Sequence, residues 1–262
     1  MSDAPVTRGK FLRSLGSSVT GAAFGTGVAV AQALVARLAA AVPEASTTTK
    51  VPQPELVEKT LAGPDPFIRR GPSEGKRLAI TFDDGPMPGV TDRILDALKE
   101  RGLVATFFMI GERVAASPEL ARRVAAEGHE IGNHTYTHPK LNSLPDQQAA
   151  LEIQQAQDTI IEVTQKSPIC FRPPYLAFRK NQAPLPHGKG LRIIYGDIDS
   201  RDWAQPGEDK IIATILSEAK VGSIIICHDH SPQTANCIGQ ILDRLLEQGF
   251  IFATVSSLIA PV

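Results

Sequence analysis

Leu78-Ala79-Ile80-Thr81-Phe82-Asp83-Asp84-Gly85-Pro86 is the stretch from which the rest of this chain is read. Its apolar start reads as a strand, and Gly85-Pro86 breaks that strand. Side chains alternate along an extended backbone, so Asp83 and Asp84 would diverge if the strand continued. The break at Gly85 lets both reach one pocket. Two carboxylates in one pocket repel unless something cationic neutralises them. A partner set follows in His134-Thr135-Tyr136-Thr137-His138, where imidazoles at i and i+4 would share one face of a helical turn. Two histidines and a carboxylate make a common facial metal set. The spacing lacks the glutamate that a zinc peptidase places after its first histidine, so a general base has to come from elsewhere. One aspartate of the pair can supply it while its neighbour holds the metal.

Strand-like runs at 78–82, 105–110, 130–133, 192–198, 223–227 and 250–254 alternate with helical patterns at 90–100, 117–127, 145–164, 209–219 and 238–248. Pro118 and Gly128 sit at helix start and stop positions. Such alternation predicts an α/β chain built on a parallel barrel or an open parallel sheet. The segment 179–189, with Pro184, Pro186 and Gly188, reads as an irregular loop where a barrel helix would be expected.

Later segments carry further chemistry: Arg172-Pro173-Pro174-Tyr175, Asp199-Ser200-Arg201-Asp202-Trp203, and Ile224-Ile225-Ile226-Cys227-His228-Asp229. Taken singly, each has a plain reading. Arg172 beside two prolines reads as a surface arginine on a rigid turn, and Trp203, the only tryptophan, reads as core packing. His228 follows a β-branched run that reads as a buried strand delivering its next side chain to a barrel mouth. Taken together with Asp83-Asp84 and the histidine pair, these segments resemble, in order and spacing, the motifs of the polysaccharide deacetylase family (carbohydrate esterase family 4, the NodB-homology domain).

The resemblance implies a distorted (β/α) barrel, a divalent metal (zinc first, cobalt or nickel as alternatives) and hydrolysis of acetyl groups on a polysaccharide or oligosaccharide. Carried over by position, Asp84, His134 and His138 are the expected metal ligands, and Asp83 the general base oriented by Arg172. The backbone N–H of Tyr175 is expected to stabilise the oxyanion. His228 is the expected general acid, held by Asp199, and Trp203 and Ile225 are expected to line the acetyl-binding groove with Tyr175. Two positions depart from the family pattern: Leu176 stands where glycine is usual, and Ile225 where a leucine usually meets the acetyl methyl. Neither removes a catalytic group, and Leu176 would narrow the groove. His129, His187 and His230 read as solvated or satisfied structural histidines.

With 262 residues, 42% of them hydrophobic, and a net charge of −1, the chain can bury one barrel-sized core and carries no bias toward nucleic acid or an anionic membrane. An aromatic fraction of 5% predicts a short groove without an attached sugar-stacking module. Residues 1–41 read as an export signal: Arg8, Lys10 and Arg13 precede an uncharged stretch at 14–36 and Ala39-Ala40-Ala41. Gly9 stands where a twin-arginine signal has its second arginine. An uncleaved membrane anchor is the alternative for this segment. Residues 42–75 read as a Pro/Thr-rich linker or a strap along the barrel, and 76–262 as the catalytic domain. Cys227 and Cys237 are one disulfide pairing that export would permit, whereas Cys227 on its apolar strand reads as a small buried side chain. The expected activity is N-deacetylation of N-acetylglucosamine in peptidoglycan or a chitin-like glycan. O-acetyl ester hydrolysis on a xylan-type polymer and glycan binding on an inactive scaffold are the alternatives.

Overall fold

The computed structural model describes residues 65–73 and 75–260, so the segment read as an export signal and residues 42–64 of the linker lie outside the described residues. Strands β1 (Phe67–Ile68), β2 (Arg77–Asp83), β3 (Thr106–Met109), β4 (Glu130–Asn133), β5 (Cys170–Phe171), β6 (Arg192–Ile194), β7 (Ile198–Asp199), β8 (Ile224–His228) and β9 (Ile251–Phe252) form one sheet. The order is β1-β6-β5-β4-β3-β2-β8-β7, with β9 on β2, and the paired strands run parallel. β6 and β7 are two halves of one run of chain. The first half pairs with β5 and the second with β8, which closes the sheet into a distorted barrel. The bend between them falls at Gly196, with φ 93°, where a Cβ would lie 2.8 Å from Ile226 Cγ1. Only glycine meets both demands.

Period-two alternation sorts the side chains of each strand into two layers. Ile80, Phe82, Phe107, Met109, Ile225 and Cys227 face outward, against Ile94, Leu95 and Leu98 of the helix Thr91–Glu100 and Ile238, Ile241, Leu242 and Leu245 of the helix Pro232–Glu247. Ala79, Phe108, Ile194 and Ile224 face the interior with Ala253, Val255 and Leu258. The C-terminal segment seals the far end of the barrel: Val255 N–H donates to Thr106 Oγ1 at 2.9 Å and Ser256 N–H to Glu130 Oε2 at 3.0 Å. Interior positions at the opposite, C-terminal strand ends are therefore left for chemistry.

The helices Pro118–Ala126, Asp146–Thr164 and Glu208–Glu218 lie within a residue or two of their expected bounds. The last long helix begins at Pro232 rather than 238, because Ser231 caps it by accepting from Thr234 N–H at 3.3 Å. A helix at Gly111–Ala116 was not expected, and 179–189 holds only a 3-10 turn at Lys180–Gln182 and a helical turn at Pro184–His187. Residues 67–68, inside the stretch read as linker or strap, form β1 on β6, and Arg70 bridges to Ser223.

Candidate active site

Register places Asp83 directly beside His228 across β2 and β8, both pointing inward at the mouth of the barrel. Behind Asp83 lies Arg172, which follows β5 and is fully buried, not a surface arginine. Its Nη1 donates to Asp83 Oδ1 at 2.7 Å and to Thr81 Oγ1 at 2.6 Å, and the guanidinium sits 4.1 Å from the Phe108 ring centroid. The aspartate pair thus escapes self-repulsion by division: Asp83 is neutralised from inside the barrel, and Asp84 turns away with φ 77°. The turn is tightly held. Asp84 N–H donates to Phe108 O, Ile110 N–H to Gly85 O, and Arg113 Nη1 to Asp84 O at 2.6 Å. Gly85 is required here, since a Cβ would fall 1.9 Å from Oδ2 of the buried Asp229. That carboxyl, pushed up to about 7 by burial, accepts from Thr91 Oγ1 at 2.7 Å.

Asp84 Oδ1 lies 2.9 Å from His138 Nε2 and 3.3 Å from His134 Nε2. The expected helical turn is absent: His134 to His138 form a loop after β4 in which Thr135 and His138 adopt φ 66° and 63°. The loop, not i,i+4 helical geometry, brings the two rings together, 5.0 Å between centroids. His134 Nδ1 contacts Arg172 O at 2.6 Å, which commits that nitrogen to the backbone and leaves Nε2 for a metal. Although buried and closely approached, Asp84 Oδ1 has no hydrogen-bond partner among the described residues. One ligand atom from each of Asp84, His134 and His138 lies within 4.8 Å of the others. An orphaned carboxylate oxygen facing two imidazole nitrogens is a donor set that fits a divalent cation. His230, read as merely structural, also belongs here, its Nδ1 being 3.0 Å from Asp84 Oδ2. Burial opposes the charge on Asp84, but the surrounding imidazoles more than offset it and hold this carboxyl below the usual range.

On the opposite wall, the partner of His228 is Asp202 and not Asp199. Asp202 Oδ1 lies 2.6 Å from His228 Nδ1, whereas Asp199 is exposed and accepts the Arg201 N–H at 2.9 Å. Left-handed backbone at Arg201, φ 56°, turns the chain so that Asp202 enters the interior. A cavity of about 590 Å³ joins the two walls, and Asp83, Asp84, His134, His138, His228 and Ile226 line it. Ile226 replaces the expected Ile225, which alternation sends to the outer core. Trp203 is 57% exposed and Tyr175 63%, so both stand at the rim rather than in the core. Tyr175 also leans on His138, 4.7 Å between ring centroids.

Residues 70–193 match the family model described as polysaccharide deacetylase. A chitooligosaccharide deacetylase of Rhizobium leguminosarum bv. trifolii is 38% identical over 174 residues, 66% of this chain and 80% of that protein. The chain belongs to the polysaccharide deacetylase family. It is 36% identical over 70% of its length to the peptidoglycan-N-acetylglucosamine deacetylase PgdA of Listeria monocytogenes, of which it spans 39%. The solved Bc1960 peptidoglycan N-acetylglucosamine deacetylase superposes with a TM-score of 0.72 at 30% identity, covering 80% of this chain and 97% of that one.

Within this deacetylase, sequence reasoning missed Asp202, Ile226, His230 and Arg113 as cavity or wall residues. Two histidines within three residues were a usable signal for the third histidine, although His230 lies in the turn just beyond the end of β8 at His228. Nothing local marked Arg113. All three cysteines are free and buried, so Cys227 and Cys237 form no disulfide in this structure. His129 is buried, with Nδ1 accepting from Ala105 N–H at 3.3 Å, and His187 is exposed. Among the described residues no helix is long and apolar enough to cross a membrane.

Proposed function

We propose that this polysaccharide deacetylase is an exported, zinc-dependent enzyme that removes N-acetyl groups from N-acetylglucosamine residues of peptidoglycan or a chitin-like glycan. The observation that carries the reading is the convergence of Asp84, His134 and His138 between two independently supported groups, Asp83 on Arg172 and His228 on Asp202, around one cavity. A divalent metal held by Asp84, His134 and His138 would supply positive charge to polarise the acetyl carbonyl and activate the attacking water. Asp83 takes the proton as water adds to that carbonyl, with Arg172 fixing its orientation. The Tyr175 backbone N–H donates to the oxygen that gains charge. His228 then gives its proton to the nitrogen as the C–N bond breaks, releasing acetate and a free amino sugar. The base and acid stand on neighbouring strands, so they reach the same amide from two sides.

The exposed rings of Tyr175 and Trp203 form a short rim for sugar stacking, and Leu176, which also lines the cavity, narrows the entry. Export agrees with the basic, then uncharged, N-terminal sequence and with the peptidoglycan-directed names of the relatives. The deciding experiment is acetate release by the purified protein from N-acetylglucosamine oligomers, peptidoglycan and acetylated xylan, with chelation and zinc add-back. Release from the N-acetylated substrates, abolished by chelator and restored by zinc, is expected. Release from acetylated xylan alone would overturn the amide assignment, and no release with zinc bound would overturn the enzymatic reading.

A further inference from the structure

We infer that Glu152 is a positioning residue of the metal centre, holding the 134–138 loop in the one conformation that brings His134 and His138 onto Asp84. Glu152 lies on the helix Asp146–Thr164, outside the cavity lining. Its Oε2 accepts the backbone N–H groups of Tyr136 at 3.0 Å and Thr137 at 2.8 Å, and its Oε1 accepts Thr137 Oγ1–H at 2.8 Å. One carboxylate thus takes three donors from two consecutive residues midway between the two histidines.

Backbone accounting shows what this contact adds. His134 N–H donates to Met109 O and Thr135 N–H to Asn133 Oδ1, while Thr135 O and Tyr136 O accept from Gly111 and Glu112 N–H at the start of the helix Gly111–Ala116. The donors that remain at 136 and 137 are those Glu152 takes. The loop also bends through left-handed backbone at Thr135 and His138, a conformation disfavoured for a β-branched or bulky residue unless its surroundings impose it. The adjoining turn of the same helix holds the strand end as well, since Asn133 Nδ2 donates to Ile153 O at 2.9 Å and to Gln157 Oε1 at 3.0 Å. A carboxylate suits the task because both of its oxygens accept; glutamine can mimic it, its oxygen taking the two backbone N–H groups and its amide donating to the Thr137 hydroxyl, whereas an apolar side chain leaves both backbone donors unpaired.

The inference rests on the metal site proposed above, and its test separates the two. Zinc dissociation constants of full-length wild type, E152Q and E152A are measured by competition with a chromophoric chelator, alongside thermal unfolding of the metal-free proteins. The expected result is a zinc dissociation constant raised about ten- to hundredfold in E152A, the range for loss of a group that orients metal ligands, with E152Q close to wild type. A lowered unfolding temperature with zinc affinity within about twofold of wild type would reduce Glu152 to a structural role and overturn the inference. Should E152A fail to fold, E152M, which keeps the bulk but has no oxygen to accept, is measured in its place, and unchanged zinc affinity in E152M overturns the inference equally. Wild type that binds no zinc would remove the metal centre itself, and this inference with it.

Discussion

Asp202 holds His228 twice: its Oδ1 lies 2.6 Å from the His228 ring Nδ1, and its Oδ2 accepts the His228 backbone N–H at 2.8 Å. The Thr234 hydroxyl donates to the same Oδ2. Ring and backbone of the proposed acid are therefore fixed by one carboxylate, which leaves Nε2 for the cavity. Burial alone would lower the His228 pKa, but the hydrogen bond and charge of Asp202, joined by the charges of Asp83 and Asp84, reverse that and raise it to about 9. In metal-free protein, an NMR titration of His228 should show a midpoint near 9, and Asp202→Asn should move it down toward the ordinary value of about 6.5. Since the folded state favours the protonated ring, the associated stabilisation is complete below about 6.5 and is lost as pH rises through the folded value. An unmoved midpoint in Asp202→Asn would show that another group sets the charge of His228.

Arg172→Met should strip Asp83 of its buried counter-charge. Both side chains are buried, at 0% and 5% exposure, so the bulk solvent that relieves a broken surface pair scarcely reaches this one. Loss of one partner of such a pair costs about 3–5 kcal/mol. Urea unfolding checks this, and a loss below about 1 kcal/mol would show that Asp83 is neutralised by something else. Arg172→Lys should recover little, because a single ammonium cannot span Asp83, Thr81 and the Ile194 carbonyl as the planar guanidinium does.

The barrel and the strand-end placement of Asp83 and His228 were legible because both rest on period-two alternation over strands of five residues or more. β1 and β5, two residues each, are too short to show a period. The histidine loop misled because i,i+4 spacing is also what a tight loop with two left-handed residues can deliver, and no propensity signals left-handed threonine. Asp199 and Asp202 stand in one motif, and only the backbone reversal at Arg201 decides which turns inward. Ile225 and Ile226 are chemically identical neighbours, so a one-residue difference in facing exchanged core for cavity.

That exchange is itself testable. Ile225→Ala removes methyl groups from the outer core and should cost about 2–5 kcal/mol in urea unfolding while leaving substrate preference unchanged. Ile226→Ala enlarges the cavity wall and should raise kcat/KM for an N-propionyl over an N-acetyl oligosaccharide by up to about tenfold, the scale for one methylene in an apolar pocket. A preference that moved with Ile225 and not with Ile226 would contradict the assigned facing.

Asp83→Asn and His134→Ala should separate proton transfer from metal holding. Asp83 touches Arg172 and lines the cavity but is outside the Asp84, His134, His138 set, so its amide variant should bind zinc with nearly wild-type affinity and lose about two to four orders of magnitude in kcat. His134 offers Nε2 to that set while its other nitrogen is committed to Arg172 O, and an alanine makes neither contact. His134→Ala should therefore lose zinc and activity together, with activity partly regained at high zinc concentration. Zinc titration by calorimetry beside acetate-release kinetics distinguishes the two patterns. Wild-type turnover in Asp83→Asn would overturn the base assignment, because among the described residues no other carboxylate stands both in register with His228 and on a buried arginine.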